Sequence, residues 1–444
     1  MTSGQREKVI LILLACSLLT SPICSMTIFS PSQAWAQNMG GSTIPDFNFA
    51  AVGDTSCNTA TSAIVSMIIK YDPERVLHLG DYSYKDGADC LYPIIRPIED
   101  KMLDPTTIVM GNHETADGRS TRLTEEGRAD LLRHFHLTEE TTFYSWSYQD
   151  VHFLVMDTEK LYKEGSRQHN FVKEDLRQAN MNQSVDWIVV YFHRNMYGES
   201  STNPALSDLK SIYQPLFDSY GVDLVLQGHV HNYQRTVPIE YVHDSKPENL
   251  SSYENPSGQI YVIVGTGGRN LVNSVSHAGY MAKTDTSHYG FLNVEIVDNG
   301  TKMKATFYDI SDQIIDQFTI TKQESGLPVN MRSLVITDFT DNSVIVDPRA
   351  GEKYVMTFYG SVNSDLAKQY FAILQLEDKN GTAIAIATLR GNLTNEGDFS
   401  VPFSWSPNNP GMFRFKLFLW DSAEGPNPLS YTSENELVVL PNVK

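Results

Sequence analysis

Two histidines separated by one valine follow a short apolar segment near the middle of the chain. The segment covers residues 224–226, and after Gln227 and Gly228 come His229 and His231. In an extended segment, residues i and i+2 point to the same side, so both imidazoles can face one centre or two adjacent centres. Because neutral imidazole is a common metal ligand, this spacing indicates metal binding.

Other strand-like segments also end in side chains that bind metals. They are Phe47–Val52 before Gly53-Asp54, residues 76–79 before Gly80-Asp81 and Tyr84, residues 107–110 before Gly111-Asn112-His113-Glu114, and Trp187–Phe192 before His193. The carboxyl ends of strands in an α/β sheet lie along one edge, where ligands bind. Each feature alone is also typical of an ordinary turn, ion pair or structural histidine. Their joint occurrence predicts a metal site.

The segments between these positions predict the framework that holds the site. Ile64, Met67, Ile68 and Tyr71 recur at helical spacing between the first two strand-like segments, which indicates a βαβ unit. Further segments predict helices over residues 124–136 and 206–220 and strands over residues 152–156 and 260–264. Residues 47–320 are therefore predicted to have α/β architecture.

The remainder of the chain has a different pattern, with strand-like runs separated by turns. The predicted strands cover residues 354–362, 370–376, 383–389, 412–420 and 436–440, and residues 378–381, DKNG, indicate a hairpin. This pattern predicts an all-β sandwich of immunoglobulin-like size. It holds no cluster of metal-ligand types, and Trp405 and Trp420 are predicted as core residues. Residues 324–328, ESGLP, form the predicted linker, which divides the chain into domains 37–325 and 326–444.

Residues 1–36 are predicted to be a cleaved signal peptide. Arg6 and Lys8 precede an apolar run over residues 9–19, and residues 34–36, AWA, match a cleavage site. Since the run is short for a membrane span, we expect no stable span in the mature chain, with an uncleaved anchor as the alternative. The protein is expected to be secreted or extracytoplasmic, including at a cell surface.

Export determines how the cysteines are interpreted. Cys57 and Cys90 remain in the mature chain, and an even number in an oxidising compartment predicts one disulfide. Two buried free thiols are the alternative. The sequons at Asn182, Asn249, Asn299, Asn380 and Asn392 fit an extracytoplasmic surface.

The formal charge of -19 limits the partners of the protein. No basic run is present that would neutralise phosphates, so no nucleic-acid partner is expected. An anionic substrate must then be attracted by a local positive centre, and a metal ion would provide one.

The ordered motifs resemble the calcineurin-like metallophosphoesterase superfamily and, more narrowly, the purple acid phosphatases. The matching motifs are Gly53-Asp54, Gly80-Asp81-x-x-Tyr84, Gly111-Asn112-His113-Glu114, Val190-x-x-His193 and Gly228-His229-x-His231. The resemblance covers residues 47–320 only. It implies a fold of two sheets flanked by helices and a secreted hydrolase, an acid phosphatase that acts on a small phosphorylated substrate.

The first motif separates branches of this superfamily. Most members carry Asp-x-His there, whereas this chain has Asp54-Thr55-Ser56, and Tyr84 stands where purple acid phosphatases supply a phenolate. Tyr82 is a rival at a spacing that fits less well. The resemblance implies one metal bound by Asp54, Tyr84 and His231, a second bound by Asn112, His193 and His229, and Asp81 bridging both. A phenolate with carboxylates suits Fe(III), and the second group suits Zn, Mn or Fe(II).

The implied reaction is the attack of a metal-bound hydroxide on a phosphate monoester that is held between two cations roughly 3.5–4 Å apart. His113 adjoins a proposed ligand without being one, so it is the first candidate for protonating the leaving group. Larger relatives carry extra histidines soon after the Val-x-x-His motif, where this chain has residues 194–197, RNMY. His277 and His288 are the alternatives.

Two other functions remain open at this point. The first is a phosphodiesterase or nucleotidase on the same scaffold, because metal ligands do not define the substrate pocket. The second is a non-enzymatic surface protein that acts through the sandwich, whose partner the sequence leaves unknown. Plant-type relatives place their β-domain before the catalytic domain, whereas here it follows.

Overall fold

A computed structural model describes residues 46–182, 184–240, 251–273, 278–298, 300–322, 329–345, 347–362, 368–379, 381–393, 397–423, 429–430 and 433–442. The predicted signal peptide, the predicted linker, His277, and three sequons at Asn249, Asn299 and Asn380 lie outside the described residues. The boundary placed at residues 325 and 326 also falls outside them and stays a prediction.

The helices of the described residues all lie in the first part of the chain. They are α1 Thr59–Tyr71, α2 Tyr92–Ile95, α3 Asp100–Leu103, α4 Glu125–His134, α5 Arg167–Met181 and α6 Ser207–Tyr220. Asn58, Thr124 and Ser166 each cap a helix by accepting a hydrogen bond from a backbone N–H of its first turn. The predicted amphipathic helix is α1, and the other two predicted helices are α4 and α6. None of these helices is long and apolar enough to cross a membrane.

The strands in chain order are β1 Phe47–Val52, β2 Arg75–His78, β3 Tyr144–Tyr148, β4 Val151–Val155, β5 Trp187–Phe192, β6 Leu224–Gln227, β7 Tyr233–Thr236, β8 Ser252–Glu254, β9 Ile260–Val264, β10 Met281–Asp285, β11 Gly290–Val297, β12 Lys302–Asp309, β13 Ile314–Thr321, β14 Val329–Asp338, β15 Tyr354–Val362, β16 Lys368–Asp378, β17 Ala383–Leu393, β18 Gly397–Trp405, β19 Gly411–Trp420 and β20 Ser433–Val439. In the first part of the chain they form one sheet in the order β2-β1-β11-β12-β13-β8 and another in the order β10-β7-β9-β6-β5-β4-β3. Parallel pairing joins β1 to β2, and β4, β5, β6 and β9 to one another.

These two sheets share one apolar core, and helices lie outside it. Along β5, Trp187, Val189 and Tyr191 belong to the core cluster that both sheets form, whereas Ile188 and Val190 belong to a cluster with α5 and α6. This alternation follows from the two-residue period of a strand, and burial on both faces explains why β5 is apolar throughout. The structure confirms the predicted fold of two sheets flanked by helices.

Parts of this region differ from the sequence prediction, including strands β3, β7 and β8, which were not predicted. Residues 107–110 do not form a strand, because the segment makes only an isolated bridge between His78 and Ile108 at the edge of β2. Residues 281–321 do not continue the alternation of strands and helices. They form antiparallel strands, of which β11 pairs with β1 and completes the first sheet.

The C-terminal part forms the predicted sandwich, with sheets β14-β15-β18 and β17-β16-β19-β20. The predicted hairpin joins β16 to β17. Phe358 and Phe415 are fully buried between the sheets, and Trp405 packs against this core. Trp405 and Trp420 are both partly buried, so neither is a fully buried core residue as the sequence predicted. Strands β14 and β18 were not predicted.

The sandwich packs against the helical layer of the first part through β14. Val335 is buried in the cluster formed with α5 and α6, and Lys173 Nζ donates a hydrogen bond to the Val344 carbonyl at 3.0 Å. The two parts therefore share an apolar contact.

Candidate metal centre

The residues predicted to bind metal lie in loops that leave both sheets of the first part. Asp54, Asp81 and Tyr84 follow β1 and β2 of one sheet, whereas His193 follows β5 of the other. His229 and His231 follow β6, and Asn112 starts a short 3₁₀ turn over Asn112–Glu114. The expectation of a single sheet edge was therefore wrong, because the site lies where the carboxyl edges of two sheets meet.

Backbone hydrogen bonds hold these edges together. Gly53 N donates to the Val264 carbonyl at 2.9 Å, and Asp54 N donates to the Gly80 carbonyl at 2.9 Å. Gly80 has a φ of +88°, and a Cβ on it would lie 2.7 Å from Nδ1 of His193. Glycine is required there because a side chain would be strained and would collide with a proposed ligand.

One group of side chains surrounds the Tyr84 hydroxyl. This hydroxyl lies 2.9 Å from Asp54 Oδ1 and 2.9 Å from His231 Nε2. His231 Nδ1 lies 3.1 Å from the Asn270 carbonyl, which orients the ring so that Nε2 faces the group. The Tyr82 hydroxyl instead donates to the Val109 carbonyl at 3.1 Å, so the rival tyrosine does not reach this group.

A second group surrounds Nε2 of His193. This nitrogen lies 3.2 Å from Asn112 Oδ1, 3.2 Å from His229 Nδ1 and 3.3 Å from Asp81 Oδ1. His193 Nδ1 lies 2.8 Å from the Leu79 carbonyl, which fixes the orientation of the ring. His193 is fully buried.

Asp81 belongs to both groups. Its carboxylate is within 4.8 Å of ligand atoms of His193 and His229, and within the same distance of ligand atoms of Asp54 and His231. Two sets of oxygen and nitrogen donors that share one carboxylate have the composition of a site for two metal ions.

The electrostatics of the site fit bound cations. Asp54 and Asp81 are buried, and among the described residues their ion-pair partners are histidines. Burial and the carboxylates of Asp54 and Asp81 raise the pKa of the Tyr84 phenol. Buried anions need a compensating positive charge, so a Tyr84 phenolate beside these carboxylates requires a cation.

The histidine charges respond to the same carboxylates. Burial alone would lower the pKa of His193, but the charge of Asp81, the hydrogen bond with Asp81 and the charge of Asp54 together outweigh burial and raise this pKa to about 10. Burial and His193 lower the pKa of His229 to about 2. Without metal, a proton on His193 therefore balances part of the negative charge.

Several of the proposed ligands occupy an unfavourable backbone conformation. Asp54, Asp81, Tyr84 and His229 have φ values of 57°, 57°, 55° and 72°. Residues other than glycine rarely adopt this left-handed region, which costs about 1–3 kcal/mol each and occurs preferentially at functional sites. The surrounding hydrogen bonds enforce it, including one of 2.9 Å from His229 N to Asp54 Oδ2.

Glu114 supports this geometry from behind the ligands. Its buried carboxylate accepts hydrogen bonds from the backbone N–H groups of Asp81 at 2.8 Å, Tyr82 at 3.0 Å and Gly111 at 2.8 Å. Burial and the charge of Asp81 raise its pKa to about 8. The sequence places Glu114 in the Gly-Asn-His-Glu motif, among side-chain types that bind metals or form ion pairs, but does not predict this supporting role.

The histidines considered as proton donors differ in position. His113 Nε2 lies 3.8 Å from Asp81 Oδ2, and its ring centroid lies 4.2 Å from that of Tyr84. His113 Nδ1 contacts the Thr121 carbonyl. His288 Nδ1 instead pairs with Asp285 at 3.0 Å in the loop after β10.

The predicted disulfide is confirmed. Cys57 and Cys90 are bonded, with their Cα atoms 5.8 Å apart. The bond links the loop after β1 to the segment after Tyr84, so it ties together two loops that carry proposed ligands. The alternative of two free thiols is excluded.

Comparison with known proteins finds phosphatases and phosphoesterases that are similar to the first part of the chain. Residues 47–233 match the sequence model of the family described as calcineurin-like phosphoesterase. The chain is 28% identical over 304 residues to "Probable inactive purple acid phosphatase 1" of Arabidopsis thaliana, which covers 64% of this chain and 48% of that protein. It is 26% identical over 293 residues to "Nucleotide pyrophosphatase/phosphodiesterase" of Hordeum vulgare, and the alignment covers 61% of this chain and 77% of that protein.

A solved structure of purple acid phosphatase PPD1 from yellow lupin seeds has a TM-score of 0.53 and 23% identity, covering 63% of this chain and 54% of that one. This likeness supports the fold. The chain spans about half the length of the Arabidopsis relative.

Proposed function

Residues 47–233 of this chain are a calcineurin-like phosphoesterase domain, and on that premise we propose that the protein hydrolyses phosphate monoesters at a pair of metal ions, as a purple acid phosphatase. The observation that carries the proposal is the arrangement of two donor groups around one shared carboxylate, Asp81, with the Tyr84 phenol in one of them. The complete set of metal-ligand side chains supports an active enzyme, although the name of the Arabidopsis relative includes "probable inactive".

The side chains divide into two proposed metal sites. Asp54, Tyr84 and His231 would hold Fe(III), whose preference for hard anionic ligands matches a phenolate and carboxylates. Asn112, His193 and His229 would hold a divalent Zn, Mn or Fe ion, with Asp81 shared. When bound, the two ions supply Lewis acidity toward the phosphoryl oxygens and lower the pKa of a coordinated water.

His113 is the proposed proton donor to the leaving group. The contact of Nδ1 with the Thr121 carbonyl orients the ring, and Nε2 then faces Asp81 at the edge of the two donor groups. His113→Asn should reduce the hydrolysis of an alkyl phosphate more than that of p-nitrophenyl phosphate, because the poorer leaving group needs the proton more. Equal losses on both substrates would contradict this role.

A phosphodiesterase or nucleotide pyrophosphatase is the second candidate function. It is favoured by the likeness to the barley protein of that name, which is matched over 77% of its length. The same donor groups would serve this reaction, since diesters and pyrophosphates present phosphoryl oxygens to the metal ions as monoesters do.

A substrate panel with metal analysis tests both candidates. The purified protein is assayed with p-nitrophenyl phosphate, bis(p-nitrophenyl) phosphate and a nucleoside triphosphate, and its metals are determined by mass spectrometry. We expect two metal ions per chain, including iron, and the highest kcat/KM on the monoester. A preference for the diester or nucleotide would support the second candidate, and a protein with two bound metals and no hydrolysis would refute both.

Colour tests the proposed iron ligand. A Tyr84 phenolate on Fe(III) should give a purple or pink protein through charge transfer, and reduction to an all-divalent pair should bleach it. Tyr84→Phe should remove the colour and weaken iron retention, whereas Tyr82→Phe should keep both. A colourless wild type that is fully active with two divalent metals would exclude iron and leave the phosphoesterase function standing.

Export from the cytoplasm is also proposed. The Cys57–Cys90 disulfide supports it, because such bonds persist in oxidising compartments. N-terminal sequencing of the mature protein should begin at residue 37 if the predicted signal peptide is cleaved.

A further inference from the structure

The loop that follows β9 carries an arginine beside the first donor group, the proposed metal ligands Asp54, Tyr84 and His231. The loop runs from Gly265 to Asn270, and Arg269 N donates a hydrogen bond to the Asp54 carbonyl at 3.0 Å. Gly267 N donates to the Gly53 carbonyl at 2.9 Å. The backbone at Arg269 is therefore fixed relative to the proposed ligands.

Contacts on both sides of Arg269 reinforce this position. Asn58 Nδ2 donates to the Gly268 carbonyl at 2.8 Å, and the Asn270 carbonyl is the group that orients His231. Gly268 has a φ of +135°, and a Cβ on it would lie 2.1 Å from Thr61 Oγ1. The tight approach to α1 therefore requires glycine and places the next residue, Arg269, over the site.

The Arg269 guanidinium lies over the Tyr84 ring, 4.3 Å from its centroid. The hydroxyl of the same ring contacts Asp54 and His231, so the guanidinium stands at one side of this donor group. Arg269 is partly exposed. The guanidinium is thus close to the proposed metal site, on a residue that solvent partly reaches.

Other arginines near the site are neutralised by carboxylates. Arg194 pairs with Glu159 at 2.6 Å, and Arg122 pairs with Asp117 at 2.6 Å. Within the part of the chain that the structure describes, no carboxylate pairs with the Arg269 guanidinium, whose side-chain contact is the Tyr84 ring. In a chain with a net charge of -19, a fixed cation without an anionic partner beside a buried donor group is available for an anionic ligand.

We propose that Arg269 binds the phosphoryl group of the substrate, donating hydrogen bonds to its non-bridging oxygens and favouring dianionic monoesters over monoanionic diesters. This inference rests on the proposed function, since it assigns a substrate contact at the same site. Guanidinium matches phosphate geometry with two parallel N–H donors, which an ammonium group does not provide. The second negative charge of a monoester dianion strengthens this interaction relative to a diester.

Arg269→Gln tests the proposal, with Arg269→Lys as the conservative variant and Arg119→Gln as the control. Arg119 is exposed and lies 3.5 Å from Asp117, so its substitution removes the same charge away from the donor groups. Binding of inorganic phosphate to the metal-loaded proteins is measured by calorimetry, together with KM and kcat on p-nitrophenyl phosphate and bis(p-nitrophenyl) phosphate. Metal content and the visible spectrum are recorded for every variant.

We expect Arg269→Gln to weaken phosphate binding about tenfold, as the loss of a hydrogen bond between charged groups predicts. KM for the monoester should rise similarly, the preference for monoester over diester should fall, and Arg269→Lys should restore part of the affinity. Arg119→Gln should resemble the wild type.

Two results would overturn the proposal. One is unchanged phosphate affinity in Arg269→Gln with both metals retained. The other is loss of iron or of colour in that variant, which would make Arg269 a support for Tyr84 and not a substrate contact. Phosphate binding can be measured without turnover. A wild type that binds phosphate but does not hydrolyse monoesters would therefore refute the proposed function, and the phosphate affinities of the Arg269 variants would still test the role of Arg269.

Discussion

The loops that carry the proposed metal ligands differ from the C-terminal sandwich in backbone conformation and in the side chains that they bury. Four proposed ligands, Asp54, Asp81, Tyr84 and His229, have left-handed backbone conformations, and their polar groups are largely buried. Among the described residues of the sandwich, Asn342 is the non-glycine residue with positive φ. The sandwich instead buries apolar side chains from alternating positions of paired strands.

This difference shows where each region obtains its stability. The sandwich is stabilised by the burial of apolar surface, which needs no bound ion. The loops of the donor groups hold strained residues and buried carboxylates, both of which lower stability unless surrounding contacts and a cation compensate. Changes in the loops should therefore affect metal binding and activity, whereas changes in the sandwich core should affect the free energy of unfolding.

The largest effect is expected from Asp81→Ala. The substitution removes the carboxylate that both donor groups share, so kcat/KM should fall roughly a thousandfold or more and both metals should be depleted. Circular dichroism should show an intact fold. Asp117→Ala, an exposed carboxylate near the site, serves as the control and should retain metals and activity. Wild-type metal content in Asp81→Ala would contradict the shared-ligand assignment.

Phe415→Ala should lower the stability of the sandwich and leave metal binding and activity unchanged. Phe415 is fully buried in the sandwich core, and removing such a ring costs about 3–5 kcal/mol of unfolding free energy. Urea unfolding should show this loss, while metal content and kcat below the unfolding transition stay at wild-type values. Met412→Ala on the same strand, where the side chain is 39% exposed, should change stability little. Metal loss in folded Phe415→Ala would show that the two regions are not independent.

Removal of the metals should destabilise the first part of the chain selectively. At a free metal concentration of 100 times Kd, binding stabilises the folded state by about 2.7 kcal/mol per site, which a chelator would remove. Scanning calorimetry should then show a lower transition temperature for the first part, with the sandwich transition unchanged. The chelator should have no effect on Asp81→Ala. An equal shift of both transitions in the wild type would contradict the claim that only the first part is stabilised by metal.

The smallest effect is expected from Val335→Ala, at the contact between the two regions. Val335 is buried against the helical layer, so losing two carbons should cost about 1.5 kcal/mol and reduce the coupling between the unfolding of the two regions. Ile336→Val on the same strand faces the sandwich core and should lower only the sandwich transition. Identical calorimetric profiles for the two variants would mean that the β14 contact does not couple the regions.

Much of the framework was readable from the sequence because strand and helix periods are local. The period of α1, the apolar run of β5 and the turn at Gly381 depend on residues close in the chain. Strands β14 and β18 were missed, as were the antiparallel strands β10–β13. Residues 107–110 resemble a strand but gain only one bridge, because strand pairing depends on a partner elsewhere in the chain.

The sequence by itself determined which residue types stand at the strand ends and that Cys57 and Cys90 are available to pair. Tertiary structure decided that these ends belong to two sheets, that Tyr84 and not Tyr82 reaches the donor group, and that Arg269 covers it. The physical reason is that the directions of these side chains are set by contacts distant in sequence, such as the hydrogen bond between Asp54 and His229, which are 175 residues apart. No local periodicity encodes a left-handed loop that such contacts impose.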